Sequence, residues 1–114
     1  MNATTHDAAT PTPLPRVAIA YCTQCNWLLR AQWMAAELLH TFAGELGEVA
    51  LQPRSGGTFT ITADTQVVWD RRVDGGFPDA AELKRRVRDA IAPQHPLGRH
   101  VEHAADERDT PQPG

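Results

Sequence analysis

Val17-Ala-Ile-Ala-Tyr-Cys-Thr-Gln-Cys25 joins a short apolar run to a Cys-x-x-Cys pair, and the residues after it repeat at helical spacing. Five consecutive apolar residues, Val17 to Tyr21, suit a central strand buried on both faces. From about Cys25 to Phe42, Leu28, Ala31, Ala35, Leu38, Leu39 and Phe42 recur at three- and four-residue steps, among good helix formers. Gly44 and Gly47 supply the stop. Glu48-Val-Ala-Leu-Gln52 reads as a second strand ended by Pro53. The three elements make a βαβ unit, which predicts parallel strands and a right-handed crossover.

Beyond Pro53, the loop Arg54-Ser-Gly-Gly57 leads into Thr58-Phe-Thr-Ile-Thr62. Strict alternation there predicts a half-buried strand. Asp64-Thr65 turns the chain into Gln66-Val-Val-Trp-Asp70. After the loop Asp74-Gly-Gly-Phe-Pro78, Asp79 and Glu82 form a capping pattern. Leu83, Val87 and Ile91 then give one apolar helical stripe, stopped by Pro93. The expected order is β-α-β-β-β-α, an α/β domain over residues 16–92. Residues 1–15, rich in Ala, Thr and Pro, and residues 93–114, with four of the nine prolines and no aromatic, read as disordered tails. The 114-residue chain is thus one domain.

Cys22 and Cys25 carry the chemistry. A Cys-x-x-Cys that follows a strand and opens a βαβ unit reads as a thioredoxin-like redox motif. In the first helical turn, the three-residue step brings both sulfurs within bridging range. The positive end of the helix and its unpaired amides favour the thiolate, the nucleophile of thiol–disulfide exchange. Two buried, inert cysteines are the plain alternative. Zinc is another, with His40, His95, His100 and His103 as the remaining ligand candidates. Redox chemistry is the better reading, with no metal.

Tyr21-Cys-Thr-Gln-Cys25, Trp27-Leu-Leu-Arg-Ala31, Ser55-Gly-Gly-Thr-Phe59, Trp69-Asp-Arg71 and Gly75-Gly-Phe-Pro78 together resemble the selenoprotein W-like (Rdx) family, as a cysteine-containing bacterial-type member. The resemblance covers about Arg16 to Ala92. It implies a thioredoxin-like fold with a four-stranded mixed sheet, two main helices and a role in cell redox homeostasis. Where family members carry selenocysteine, it stands at the position of Cys25. Thioredoxin-type geometry instead makes Cys22 the attacking group and Cys25 the resolving one. We read the pair in that order, with the reverse left open by the sequence. Pro53 is the internal candidate for a thioredoxin-like cis-proline, and a strand terminator is the simpler reading.

Thr23 and Gln24, between the cysteines, are the first substrate-contact candidates. Ser55, Gly56 and Gly57 are the others, on a loop expected to flank the site. Exchange with glutathione or protein thiols follows, with glutathione as co-substrate and no bound cofactor. Arg54 is a candidate partner for a glutathione carboxylate. Trp33, on the polar side of the first helix, is a candidate anchor for a protein partner, and the second functional reading is a non-catalytic redox-sensing interaction module. Trp27 and Trp69 read as core residues, and the basic run Lys84 to Arg88 as a solvated helix face. Net charge −3 and pI about 5.9, without a basic tract interleaved with aromatics, argue against nucleic acid. No secretory signal pattern and no membrane-length apolar run are present, so the expected location is cytoplasmic.

Overall fold

The computed structural model describes residues 14–97. Its elements are β1 (Arg16–Cys22), α1 (Leu28–Thr41), β2 (Glu48–Arg54), β3 (Phe59–Ala63), β4 (Gln66–Asp70), α2 (Arg71–Asp74) and α3 (Ala80–Ile91). One mixed sheet runs in the order β2-β1-β3-β4. β1 is parallel to β2 and antiparallel to β3, which pairs antiparallel with β4. This is the α/β, thioredoxin-like arrangement expected, with the short helix α2 added.

Alternation along the strands sets the layers. Val17, Ile19 and Tyr21 of β1 and Phe59, Ile61 and Ala63 of β3 face the core, none more than 7% exposed. There α1 supplies Ala31, Met34 and Leu38, and α3 supplies Leu83 and Val87. Ala18, Ala20, Thr60 and Thr62 take the opposite face and stay half-buried. β1 is therefore not buried on both faces, as its unbroken apolar run suggests. Alanine counts as apolar, but one methyl group loses little by partial exposure. The helical stripe is also rotated from expectation. Leu28 and Leu39 are 40% and 45% exposed, and Met34 is buried in the core.

Pro53 does not end β2. It pairs in register with Tyr21, and the strand continues to Arg54. β2 is an edge strand, where a residue without an N–H is tolerated. Among the described residues no peptide bond is cis. A register shift between Ile61 and Thr62 turns both Val68 and Trp69 of β4 inward.

α2 follows β4 without a break. Asp70 caps it by accepting from Arg72 N–H at 3.0 Å, and Gly75 closes it at φ 81°. Arg86 of α3 fastens this corner. It donates to Val68 O at 2.9 Å, to Asp74 Oδ1 at 3.0 Å and to Glu82 Oε2 at 2.7 Å, and it lies over the Trp69 ring. The Trp69 indole N–H donates to Gly76 O at 2.9 Å. Past Ile91 the chain stays on the domain, with His95 against Phe42 and Leu97 in the core. Packing thus runs beyond the boundary expected at Ala92, through a leucine that the surrounding prolines mask in composition. At the other end Pro15 O accepts from Gly47 N–H at 2.8 Å, and residues 1–13 and 98–114 of the expected tails lie outside the described residues.

Candidate functional site

β1 ends at Cys22 and α1 starts at Leu28, so the cysteine motif occupies the bend between them. Asn26 N–H closes the bend on Thr23 O at 3.2 Å. Asn26 itself sits at φ 62°, a left-handed conformation that asparagine tolerates better than most residues. The Thr23 N–H and hydroxyl both donate to Arg54 O, at 3.0 and 3.3 Å, tying the bend to the end of β2. Cys25 is therefore not in the first turn of α1, where the helical spacing places it. The left-handed Asn26 interrupts the helix, and Trp27 is its N-cap.

Both cysteines are free, with sulfurs 2.7 Å apart and the Cys25 thiol donating to Cys22. Their settings differ. Cys22 is 1% exposed, whereas Cys25 is half-buried. The Cys22 thiol is held below its ordinary range, chiefly by the hydrogen bond from Cys25 and further by the backbone N–H groups of Gly57, Cys25 and Gln24. Burial opposes this shift without cancelling it. Cys25 is pushed up, first because it gives its proton to that bond, then by burial and by the negative charge of Cys22. Gly57 N–H and the Arg71 guanidinium pull it back in part. The amides that stabilise the thiolate thus belong to the bend and to Gly57, not to the first helical turn. Three N–H groups directed at one sulfur act as an anion-binding nest does.

The Ser55-Gly56-Gly57 loop flanks the cysteines as expected, and its contact is through backbone. Gly56 and Gly57 sit at φ 69° and 74°, which presents Gly57 N–H to the sulfurs at little steric cost. Ser55 O accepts from the Thr58 hydroxyl at 2.8 Å, so the serine braces the loop through its carbonyl. Two arginines of α2 hold the other side. Arg71 Nε donates to Gly57 O at 3.1 Å, and Arg72 Nη2 donates to Gly56 O. Arg71 also lies 5.1 Å over the Trp27 ring. Trp27, Phe59 and Phe77 pack edge to face in a triangle, with Arg30 capping Phe77 at 4.1 Å. Sequence reasoning missed Arg71, Arg72, Arg30 and Phe77. Arg30, Phe77 and Arg71 each fall in a motif that carries the family resemblance, which marks the positions without giving them a role at the site.

The remaining candidates lie as follows. Arg54 pairs in register with Cys22, and its guanidinium donates to Pro53 O and Gln52 Oε1. Trp33 is 45% exposed on α1. Trp27 packs against the core and Trp69 lies within it. His40 is exposed and His95 bonds Glu45 at 2.7 Å, while His100 and His103 lie outside the described residues. Among the described residues no three His, Cys, Asp or Glu side chains converge on a metal-sized space, and no helix is long and apolar enough to cross a membrane.

A family model described as the Rdx family matches residues 16–89, more than half of the chain. The chain belongs to the Rdx family. Solved structures similar to it include two crystal structures. A protein from Bordetella parapertussis is 63% identical with a TM-score of 0.67, covering 68% of this chain and 99% of its own. A selenoprotein W-related protein from Vibrio cholerae is 50% identical with a TM-score of 0.67, covering 68% of this chain and 98% of its own. Among curated proteins none matches. An Rdx-family chain with a paired Cys22 and Cys25 is of redox type.

Proposed function

We propose that this Rdx protein is a thiol–disulfide redox protein in which Cys25 meets the outside sulfur and Cys22 stores the thiolate. The observation that carries it is the asymmetry across 2.7 Å: the acidic sulfur is buried and its protonated partner is half-exposed. A proton passing from Cys25 to Cys22 puts the thiolate where a substrate can reach it. That thiolate attacks a substrate disulfide, forms a mixed disulfide and releases one substrate thiolate. The amides of Gly57, Gln24 and Cys25 then help Cys22 to ionise again. It attacks Cys25 Sγ, closes the Cys22–Cys25 disulfide and releases the second substrate thiolate. A thiol reductant, glutathione or a protein dithiol, returns the pair to its reduced state. This order reverses the thioredoxin-type one and matches the position at which the family carries selenocysteine.

Thr23 and Gln24 precede Cys25 in the bend, Gly57 N–H reaches it, and these three with Ser55 and Gly56 of the same loop are the proposed substrate contacts. A reducing compartment such as the cytoplasm and a part in cell redox homeostasis follow from the same chemistry. The test is trapping with a chromogenic aromatic disulfide. Cys22→Ser is expected to form a stable mixed disulfide at Cys25, and Cys25→Ser to react far more slowly. The opposite pattern reverses the order of attack, and no reaction in either variant removes the redox reading. Exposed Trp33 favours a second reading, a redox-sensing interaction module. In that case serine variants change partner capture while turnover of a disulfide stays at background.

A further inference from the structure

Arg16, Lys84, Arg85, Arg86 and Arg88 each pair with a carboxylate. Arg30, Arg54, Arg71 and Arg72 have no carboxylate partner among the described residues, and each belongs to or braces a segment that adjoins the dithiol. Arg54 stands beside Cys22 across the β1–β2 ladder. Arg71 and Arg72 hold the loop whose Gly57 N–H reaches both sulfurs, and the charge of Arg71 acts on Cys25. Arg30 covers Phe77, which packs on Trp27 just after the motif. In a chain of net charge −3, the cations without a carboxylate partner among the described residues lie on the segments that hold the dithiol or directly follow it.

The two helices next to the bend and its flanking loop also expose apolar side chains. Leu28, Leu29 and Trp33 on α1 are 40%, 76% and 45% exposed, and Val73 on α2 is 81% exposed. From Leu28 to Trp33 this strip extends about 7.5 Å along the helix axis. A small anionic thiol such as glutathione brings carboxylates but no apolar side chain to lie on it. A polypeptide brings both.

Building on the redox reading above, we propose that the dithiol face docks an acidic, partly apolar polypeptide segment that carries the disulfide to be reduced. Its carboxylates meet the four arginines, its apolar residues lie on Leu29 and Trp33, and its disulfide reaches Cys25. The substrate disulfide is reduced to two thiols as Cys22 and Cys25 are oxidised to their own disulfide. Complementary charge acts mainly on the rate of encounter.

The experiment uses the reduced full-length chain and two cystine peptides matched in Leu and Phe content, one flanked by Glu and one by Lys. Thiol release gives the exchange rate, and alkylation by uncharged iodoacetamide reads the dithiol independently. The acidic peptide is expected to react at least about tenfold faster at low salt. That preference should shrink toward parity near about 1 M salt, where screening acts within about 3 Å. The double change Arg30→Glu with Arg54→Glu should remove the preference, read as the ratio of the two peptides' rates so that any change in thiol reactivity cancels, and Leu29→Ala with Trp33→Ala should slow the acidic peptide without slowing alkylation. Equal rates for the two peptides, with an activated thiol still seen by alkylation, overturn the docking proposal alone. Oxidised glutathione matching the acidic peptide, with no effect of Leu29→Ala and Trp33→Ala, overturns its polypeptide part. Absence of both exchange and activated alkylation removes the redox reading and this proposal with it. A dimer of this chain formed through the same face, and lost in Leu29→Ala with Trp33→Ala, makes a second copy the occupant and overturns the proposal.

Discussion

Replacing Gly57 by alanine separates the conformational role of the glycine from its role at the sulfurs, because Gly56 provides an internal control. Both residues are left-handed, at φ 74° and 69°. An L-residue held there costs about 1–2 kcal/mol. The stiffer unfolded chain returns about 0.4–1 kcal/mol, leaving a net loss near 1 kcal/mol. For a domain of this size that lowers the midpoint of thermal unfolding by about 4–8 °C. A Cβ at Gly56 meets nothing within 4 Å, so Gly56→Ala should show this loss and little else. A Cβ at Gly57 falls 3.2 Å from Arg71 Nη2, at the end of a side chain whose Nε holds Gly57 O at 3.1 Å. Either the arginine or the loop must give by a few tenths of an ångström, and both movements disturb the N–H aimed at Cys22. Gly57→Ala should therefore match or exceed the stability loss of Gly56→Ala and also raise the Cys22 thiol, since one of its stabilising donors is displaced. Urea unfolding measures the first effect, and alkylation rate against pH measures the second. If the two variants have the same pH profile as the unchanged protein, the Gly57 amide does not stabilise the thiolate and the nest described above is wrong.

Two further outcomes concern the corner that carries α2. Arg86→Ala removes hydrogen bonds to Val68 O, Asp74 and Glu82 and the stacking on Trp69; with its side chain 36% exposed, the expected loss is about 1–2 kcal/mol by urea unfolding. A loss under about 0.3 kcal/mol would show that this corner is not held by Arg86. Asp74 and Glu82 are both held below the usual carboxylate range, Asp74 first by the N–H of Asp70 and Glu82 first by Arg86. A depressed carboxylate stabilises the fold above its unfolded-state pKa, and that contribution fades as pH falls through its folded one. Stability should thus decline from about pH 4 downward, and less steeply in Asp74→Asn with Glu82→Gln, as circular dichroism across an acid titration would report.

The strand and helix on either side of Cys22 and Cys25 were legible because apolar run, motif spacing and helical periodicity agree over a short stretch, whereas the bend between them was read as the first helical turn. What escaped was short or distant. α2 has four residues, too few for any periodicity, and Asp70 and Gly75 were its available signals, as cap and stop. Arg71 and Arg72 reach Gly57 and Gly56 across 14 and 16 positions, a relation no local pattern encodes. Charge density along the chain does not locate free charge. The conspicuous run from Lys84 to Arg88, read from the sequence as a helix face without a binding role, is neutralised in space by Glu37, Glu82, Asp74 and Asp89, whereas Arg30, Arg54, Arg71 and Arg72, scattered in sequence, have no carboxylate partner among the described residues. The run-length of Val17 to Tyr21 overstated burial for a related reason: a binary apolar count hides the alternation of large and small side chains that decides which face is covered.

The asymmetry of the two sulfurs follows from where each is attached. Cys22 closes a strand and inherits its position from the β-ladder, under the cover of the bend and the Gly57 loop. Cys25 sits in the bend, where no ladder buries it. At 2.7 Å their titrations belong to the pair rather than to either residue. Loss of the first proton is favoured by the converging amides, and loss of the second is opposed by the charge already present. Across the interval between those two steps the pair holds one proton and one negative charge, the state an exchange reaction needs for its attacking thiolate. In the proposed exchange, a mixed disulfide at Cys25 removes the thiol that donates to Cys22, and the amides of Gly57, Gln24 and Cys25 are what remains to hold the buried sulfur as an anion aimed at its neighbour.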